Sequence, residues 1–158
     1  MLETSEMINR LIFHEGLKLK PYYCTAGKQT IGIGRNLDDN PLTAEEKRVC
    51  GNWEKGITRE MAYYLCRNDI QRCAKECRNS ILFFDNLDSE RQYALLDMNF
   101  QMGNRALLGF KKMLTAMGAC NWDEASKQCL DSKYARDTKT RAKRIAETIR
   151  TGKFNIYF

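Results

Sequence analysis

Apolar side chains recur along this chain with two different periods. Between Glu3 and Phe13, Met7, Leu11 and Ile12 fall on one face of a short helix. From Leu17 the period shortens: Leu17, Leu19, Pro21, Tyr22 and Tyr23 make one extended segment, and Gln29 to Ile33 alternates again. Thr25-Ala-Gly-Lys28 between them reads as a turn, with Gly27 free to take positive φ, so the two segments predict a β-hairpin. Asp38-Asp-Asn-Pro41 breaks the hairpin. Thr43-Ala-Glu-Glu46 has the form of a capping box and opens a second helix, which Gly51 to Gly56 closes. Thr58 caps a third, longer helix to about Arg78, with Ala62, Cys66, Ile70, Cys73 and Cys77 facing inward.

The second half reads as helical throughout. Ser89 to Met102 is apolar on nearly all sides, the mark of a helix buried centrally. Gly109 to Met117 is another apolar segment. Asn121-Trp-Asp-Glu124 caps a helix through about Leu130, and Thr138 or Thr140 starts a last, strongly basic helix that ends before Gly152. At 158 residues, without repeat, low-complexity tract or linker, the chain reads as one domain of the α+β class. The expected architecture is two lobes with a cleft between them. The N-terminal lobe spans about 13–60, a connecting helix about 59–78, and a helical C-terminal lobe about 80–158 together with the N-terminal helix.

Charge adds a partner class without fixing it. The net charge of +6 suits an anionic partner such as nucleic acid, a membrane surface or the bacterial wall, although plain solubility explains such a charge more often. No nucleic-acid-binding signature accompanies it. The start of the chain carries Glu3 and Glu6 and no long apolar stretch. Neither a signal peptide nor a bilayer-spanning run is therefore expected, and the protein is expected to be made in a cytoplasm. Seven cysteines are many, but without a secretory signal a disulfide framework is the weaker reading. Cys66, Cys73 and Cys77 lie on one helical stripe with no histidine or fourth thiol at ligand spacing, so small apolar core residues fit better than a zinc site.

Chemistry concentrates between Glu15 and Gly34. A hairpin beside a helix end brings Glu15, Cys24 and Thr30 towards one another, a carboxylic acid, a thiol and a hydroxyl. The spacing is Glu15, eight residues, Cys24, five residues, Thr30, followed by Ile31-Gly-Ile-Gly34. Further along stand Phe100-Gln-Met-Gly103, Gly109-Phe110, Trp122-Asp-Glu-Ala125, Arg141-Ala-Lys-Arg144 and Arg150-Thr-Gly152. This collinear set resembles the phage-type lysozymes, in particular those of the T-even bacteriophages, whose catalytic pattern is Glu, eight residues, Asp or Cys, five residues, Thr.

The resemblance implies a two-lobed lysozyme-like fold and an endolysin. Such an enzyme hydrolyses the β-1,4 bond between N-acetylmuramic acid and N-acetylglucosamine in peptidoglycan, as a monomer without metal or organic cofactor. It implies no nucleic-acid partner and no stable membrane insertion. Action on the wall in the periplasm would need a separate membrane-permeabilising protein, a holin, for release. Glu15 would be the general acid, beside apolar Ile12, Phe13 and Leu17, where partial burial favours the protonated form. Cys24 stands where many relatives have aspartate. The residue could orient water, act as base when ionised, attack the sugar as thiolate, or have no role. The resemblance implies that Thr30 holds the attacking water and that the centre inverts. Gly34 would let the backbone approach a sugar, Phe100 would stack on a sugar face, Gln101 would bond an acetamido group, and Arg141 would pair with the catalytic glutamate.

Three other readings stay open. A weakened site at Cys24 would leave a peptidoglycan-binding protein. The basic helix Lys139 to Arg150 carries a modest apolar face, Ala142, Ile145, Ala146 and Ile149, that would suit membrane disruption. A Cys24–His14 dyad would suit an amidase or peptidase, but neighbours such as His14 and Glu15 point about 100° apart on a helix. Asp97, on the buried helix, reads as a hydrogen-bonded structural carboxylate.

Overall fold

The computed structural model describes residues 1–157 and has the α+β composition expected from the pattern. The chain divides into two compact units, Glu3–Gln71 and the chain from Arg72 onward with Met1–Leu2.

The first unit opens with α1 (Thr4–Glu15), whose buried face is Met7, Ile8 and Leu11. A small antiparallel sheet follows: β1 (Lys18–Tyr23), β2 (Gln29–Gly32) and β3 (Arg35–Asn36), in the order β1-β2-β3. The hairpin pairs Tyr22 with Thr30 and Tyr23 with Gln29, and Gly27 takes φ +76° in its turn. Between Lys18 and Tyr22 the pairing shifts register. Pro21 lies in that stretch and has no N–H to give to a ladder. The third strand was not anticipated; at two residues it is too short to show a period. Next come α2 (Ala44–Cys50), opened by the full Thr43/Glu46 capping box, and a 3₁₀ turn at Trp53–Lys55. The long helix α3 (Arg59–Ser80) starts where Thr58 Oγ accepts from Met61 N at 3.1 Å, and the division between the units falls within it. Ile31, Leu37, Leu42, Cys50, Ile57, Ala62 and Leu65 form the core of this unit.

At the centre of the first unit lies a buried ion cluster that sequence periodicity does not show. Arg35 and Glu46 are joined twice, at 3.0 Å and 2.7 Å, and Arg35 Nη1 lies 3.2 Å from Asp69 Oδ1. Arg35 also donates to the carbonyls of Asn40 and Pro41, and Asn68 donates to Glu46 at 3.0 Å. One guanidinium thereby ties β3, the following loop, α2 and α3 together.

The second unit is helical: α4 (Ser89–Met102), α5 (Asn104–Leu108), α6 (Lys111–Gly118), α7 (Trp122–Leu130), α8 (Lys133–Thr138) and α9 (Thr140–Thr151). Residues Gln92 to Asn99 of α4 are buried on every side, as its composition required. Asn121 caps α7 through Glu124 N. The basic helix starts at Thr140 and stops at Gly152 in the left-handed conformation, and its Ala142, Ile145, Ala146 and Ile149 are all at most 1% exposed. Helices α5 and α8 were not anticipated. Cys66, Cys73 and Cys77 are buried on the inward face of α3. Burial pushes Cys66 and Cys129 up to about 12 and Cys77 up to about 11. Among the described residues no helix is long and apolar enough to cross a membrane.

The ion cluster sets an expectation for stability. Removing Arg35 while keeping its shape, as in Arg35→Met, strands two buried carboxylates and costs about 3–5 kcal/mol in chemical denaturation. Burial pushes Glu46 up, but the bonds from Arg35, Asn68 and Thr43 N–H outweigh it and hold the carboxyl at about 2. Its folded value lies below the unfolded one, so this stabilisation is fully present above the ordinary value of 4.5 and is lost as pH falls towards 2. Acid titration of Glu46→Gln should show a flatter loss over that window than the parent.

Candidate active site

Glu15 is the last residue of α1. The helix ends there because Gly16 takes φ +77°, with its N–H closing on Ile12 O at 2.7 Å. The Glu15 side chain is half-buried and lies directly against the backbone of Gly34. A methyl group added at Gly34 would stand 2.7 Å from Glu15 Cγ and 2.8 Å from Cδ, and Gly34 has φ +63°. Both space and backbone conformation require glycine there. In this unit the neighbour of Gly34 is therefore the proposed acid itself. Of the apolar residues expected to shelter Glu15, Ile12 and Leu17 are half-buried, but Phe13 is 50% exposed and gives less cover.

Cys24 follows β1 at the head of a closed turn. Its N–H donates to Lys28 O at 3.0 Å, and Gly27 N–H donates to Cys24 O at 2.8 Å. Burial pulls the Cys24 thiol upward, but the backbone N–H groups of Lys28 and Ala26, with the Thr30 hydroxyl close by, favour its ionised form. The net result is a value below its ordinary 9.0. Thr30 sits on the central strand between Tyr22 and Asn36 and is 4% exposed. Its hydroxyl donates to Lys28 O at 3.0 Å and is also within reach of the sulfur. One proton with two acceptors can swing to the sulfur when the thiol ionises.

Tyr22 belongs to the same neighbourhood and was not singled out from the sequence. Burial first, then the charges of Glu15 and Cys24, push its phenol above the ordinary value, so it feels both groups. The Lys18 ammonium stands 4.2 Å from the centre of its ring. Its register opposite Thr30 was the available signal. His14 makes a tilted ring contact with Phe13 at 5.6 Å.

The remaining site residues lie in the second unit. Phe100 and Gln101 end α4, both half-buried, and Gln101 Oε1 is buried with no hydrogen-bond partner among the described residues. Gln101 lines a pocket of about 810 Å³ with Met102, Phe110, Met113 and Tyr134. Arg141 donates from Nε to Asp97 Oδ1 at 3.0 Å, and Tyr93 OH donates to Asp97 Oδ2 at 2.9 Å. Asp97, fully buried, is thus a paired structural carboxylate as expected, and it is a partner of Arg141 that the sequence did not name. Among the described residues no group of three or more His, Cys, Asp or Glu side chains is placed to hold a metal ion.

Residues 13–147 match the family model described as phage lysozyme. The pre-baseplate central spike protein Gp5 of Enterobacteria phage T4 is 34% identical over 99% of this chain, which spans only 29% of that protein. Two Dictyostelium discoideum proteins, probable T4-type lysozymes 1 and 2, are 32% and 30% identical over 98% of this chain and 99% of their own lengths.

The seat of the carboxylate gives a direct test. Gly34→Ala should displace the Glu15 side chain. If Glu15 is a catalytic group, kcat should fall about 10²-fold, the scale set by a misplacement of about 1 Å. Circular dichroism should show the fold retained, and wall-turbidity assays should give the rate.

Proposed function

The chain belongs to the phage lysozyme family, glycoside hydrolases directed at peptidoglycan, and from that premise we propose that it cleaves the β-1,4 bond between N-acetylmuramic acid and N-acetylglucosamine. Glu15 protonates the departing glycosidic oxygen. Cys24, ionised and held by the turn N–H groups, polarises a water that Thr30 orients, and the water attacks the anomeric carbon with inversion. The observation that supports this reading best is the pairing of a seated carboxylate, Glu15 on Gly34, with a thiol lowered by the donors around it. A thiolate there substitutes for the anionic carboxylate of relatives that carry aspartate.

Phe100, Gln101 and Arg141 are assigned to substrate. Gln101 Oε1 has an unmet need for a donor, which the N–H of an acetamido group would supply. Phe100 offers a face to a sugar ring, and Arg141 supports the acid. In a phage, such an activity would serve host lysis as an endolysin, acting in the periplasm after a holin opens the inner membrane.

Two substitutions separate the roles. Glu15→Gln cannot donate the proton and should lower cleavage of purified peptidoglycan by about 10²–10⁴-fold, read as new reducing muramic acid ends. Rates within a few-fold of the parent would remove Glu15 from the mechanism.

At Cys24 the ionised form is the active one while Glu15 must keep its proton, so the pH–rate profile should be bell-shaped, with a rising limb on its acid side. Cys24→Asp should keep activity and move that rising limb down to about 4, the ordinary aspartate range. Cys24→Ala should lose most of the rate. A trapped glycosyl adduct on Cys24, or retention at the anomeric centre, would replace water activation by thiolate attack. A silent parent revived by Cys24→Asp would establish a wall-binding protein instead.

A further inference from the structure

The net charge of +6 is not spread along the chain. The unit Glu3–Gln71, with Glu15, Cys24 and Thr30, holds ten basic and ten acidic side chains. From Lys133 to Lys153 there are eight basic residues and two acidic ones, and the remainder of the chain balances at eighteen of each. The whole excess therefore sits in α8, α9 and the residues just beyond.

Half of those eight cations are already engaged. Lys133 pairs with Asp137 at 2.6 Å, and Arg150 pairs with Glu147. Arg141 pairs with Asp97, and Arg144 donates to the carbonyls of Asn155 and Ile156. Arg136, Lys139, Lys143 and Lys153 are exposed and have no acidic partner among the described residues. Lys139 and Lys143 continue into Glu147 and Arg150 at i, i+4, i+8 and i+11, one stripe about 17 Å long. Arg150 pairs with Glu147, so the net positive charge of the stripe comes from Lys139 and Lys143 at its head. Lys139 stands at its head with φ +44° and ψ −97°, a conformation that L-residues rarely adopt.

We propose that this segment docks a flexible phosphate-bearing polyanion of the bacterial envelope, a phosphodiester chain, through Arg136, Lys139, Lys143 and Lys153. None of the four is assigned to hydrolysis. A linear polymer fits better than a bilayer, because insertion into a membrane surface needs apolar side chains beside the cations. On α9 those side chains, Ala142, Ile145, Ala146 and Ile149, are packed inward. Exposed lysines and arginine without partners hold a polyphosphate by releasing its counterions, which gives retention without a shaped pocket. The proposal rests on the wall reading only for where such a polymer is met; the binding itself needs no catalysis.

The test uses Glu15→Gln protein, so that failure of the hydrolytic reading leaves it intact. Affinity for soluble poly(glycerol phosphate) is measured against salt, beside vesicles of phosphatidylglycerol and phosphatidylcholine. Binding should weaken linearly in log–log form by about 0.7 per phosphate contact, as for a single-stranded phosphodiester. Adding Arg136→Gln, Lys139→Gln and Lys143→Gln should flatten that slope by about 2 and weaken binding at least tenfold, with thermal unfolding showing the fold retained. In the active parent background, the same three changes should slow lysis of whole walls at low salt. They should leave the rate on a small neutral wall saccharide unchanged. Salt-independent binding by the parent, equal binding by the triple variant, or binding to vesicles but not to the polymer would each overturn the proposal.

Discussion

A single buried cation organises the first unit. Arg35 is 5% exposed, and its guanidinium is met by two carboxylates, Glu46 and Asp69, and by two backbone carbonyls. Such a group is costly to bury, and the cost is offset only when every donor is satisfied. The segment that supplies Arg35 also supplies Gly34, on which the Glu15 side chain rests, and Ile31, which pairs with Arg35 across the sheet. Fixing the guanidinium therefore fixes the short stretch of backbone that seats the proposed acid. The same sheet places Thr30 opposite both Tyr22 and Asn36. Position in this unit is handed from charge to backbone to the side chain of Glu15.

The Cys24 turn illustrates how a backbone can define a chemical role more broadly than one residue type. Donors from Ala26, Lys28 and Thr30 face whatever anion sits at that position. An aspartate brings a permanent charge; a cysteine brings one that depends on pH. The family pattern admits both, and the converging donors supply a physical reason: they favour the ionised form of either side chain.

Much of this was legible because its determinants are local. Thr43, Thr58 and Asn121 each announce a helix start within four residues, and the all-round apolar run of Ser89 to Met102 leaves it no place but the interior. The short pieces β3, α5 and α8 were not, since two to six residues carry no period and are held by neighbours distant in sequence. The ion cluster was invisible for the same reason: nothing near Arg35 in the chain names Asp69. At the site, the Glu15, Cys24 and Thr30 spacing was readable as a pattern. The contact of Gly34 with Glu15, the exposure of Phe13 and the place of Tyr22 beside two ionisable groups required the folded backbone.

The burial of the thiols has a consequence for covalent chemistry. Within the first unit three cysteines are present, and burial removes two of them, Cys50 and Cys66, from reaction by raising the energy of their thiolates. Only Cys24 combines partial access with a lowered value. An electrophile or oxidant entering that unit at neutral pH therefore meets one competent sulfur, and it is the sulfur proposed to activate water. Within that unit, storage in air, alkylation or peroxide would act first at Cys24, so that damage there reaches the proposed site before it reaches the buried thiols.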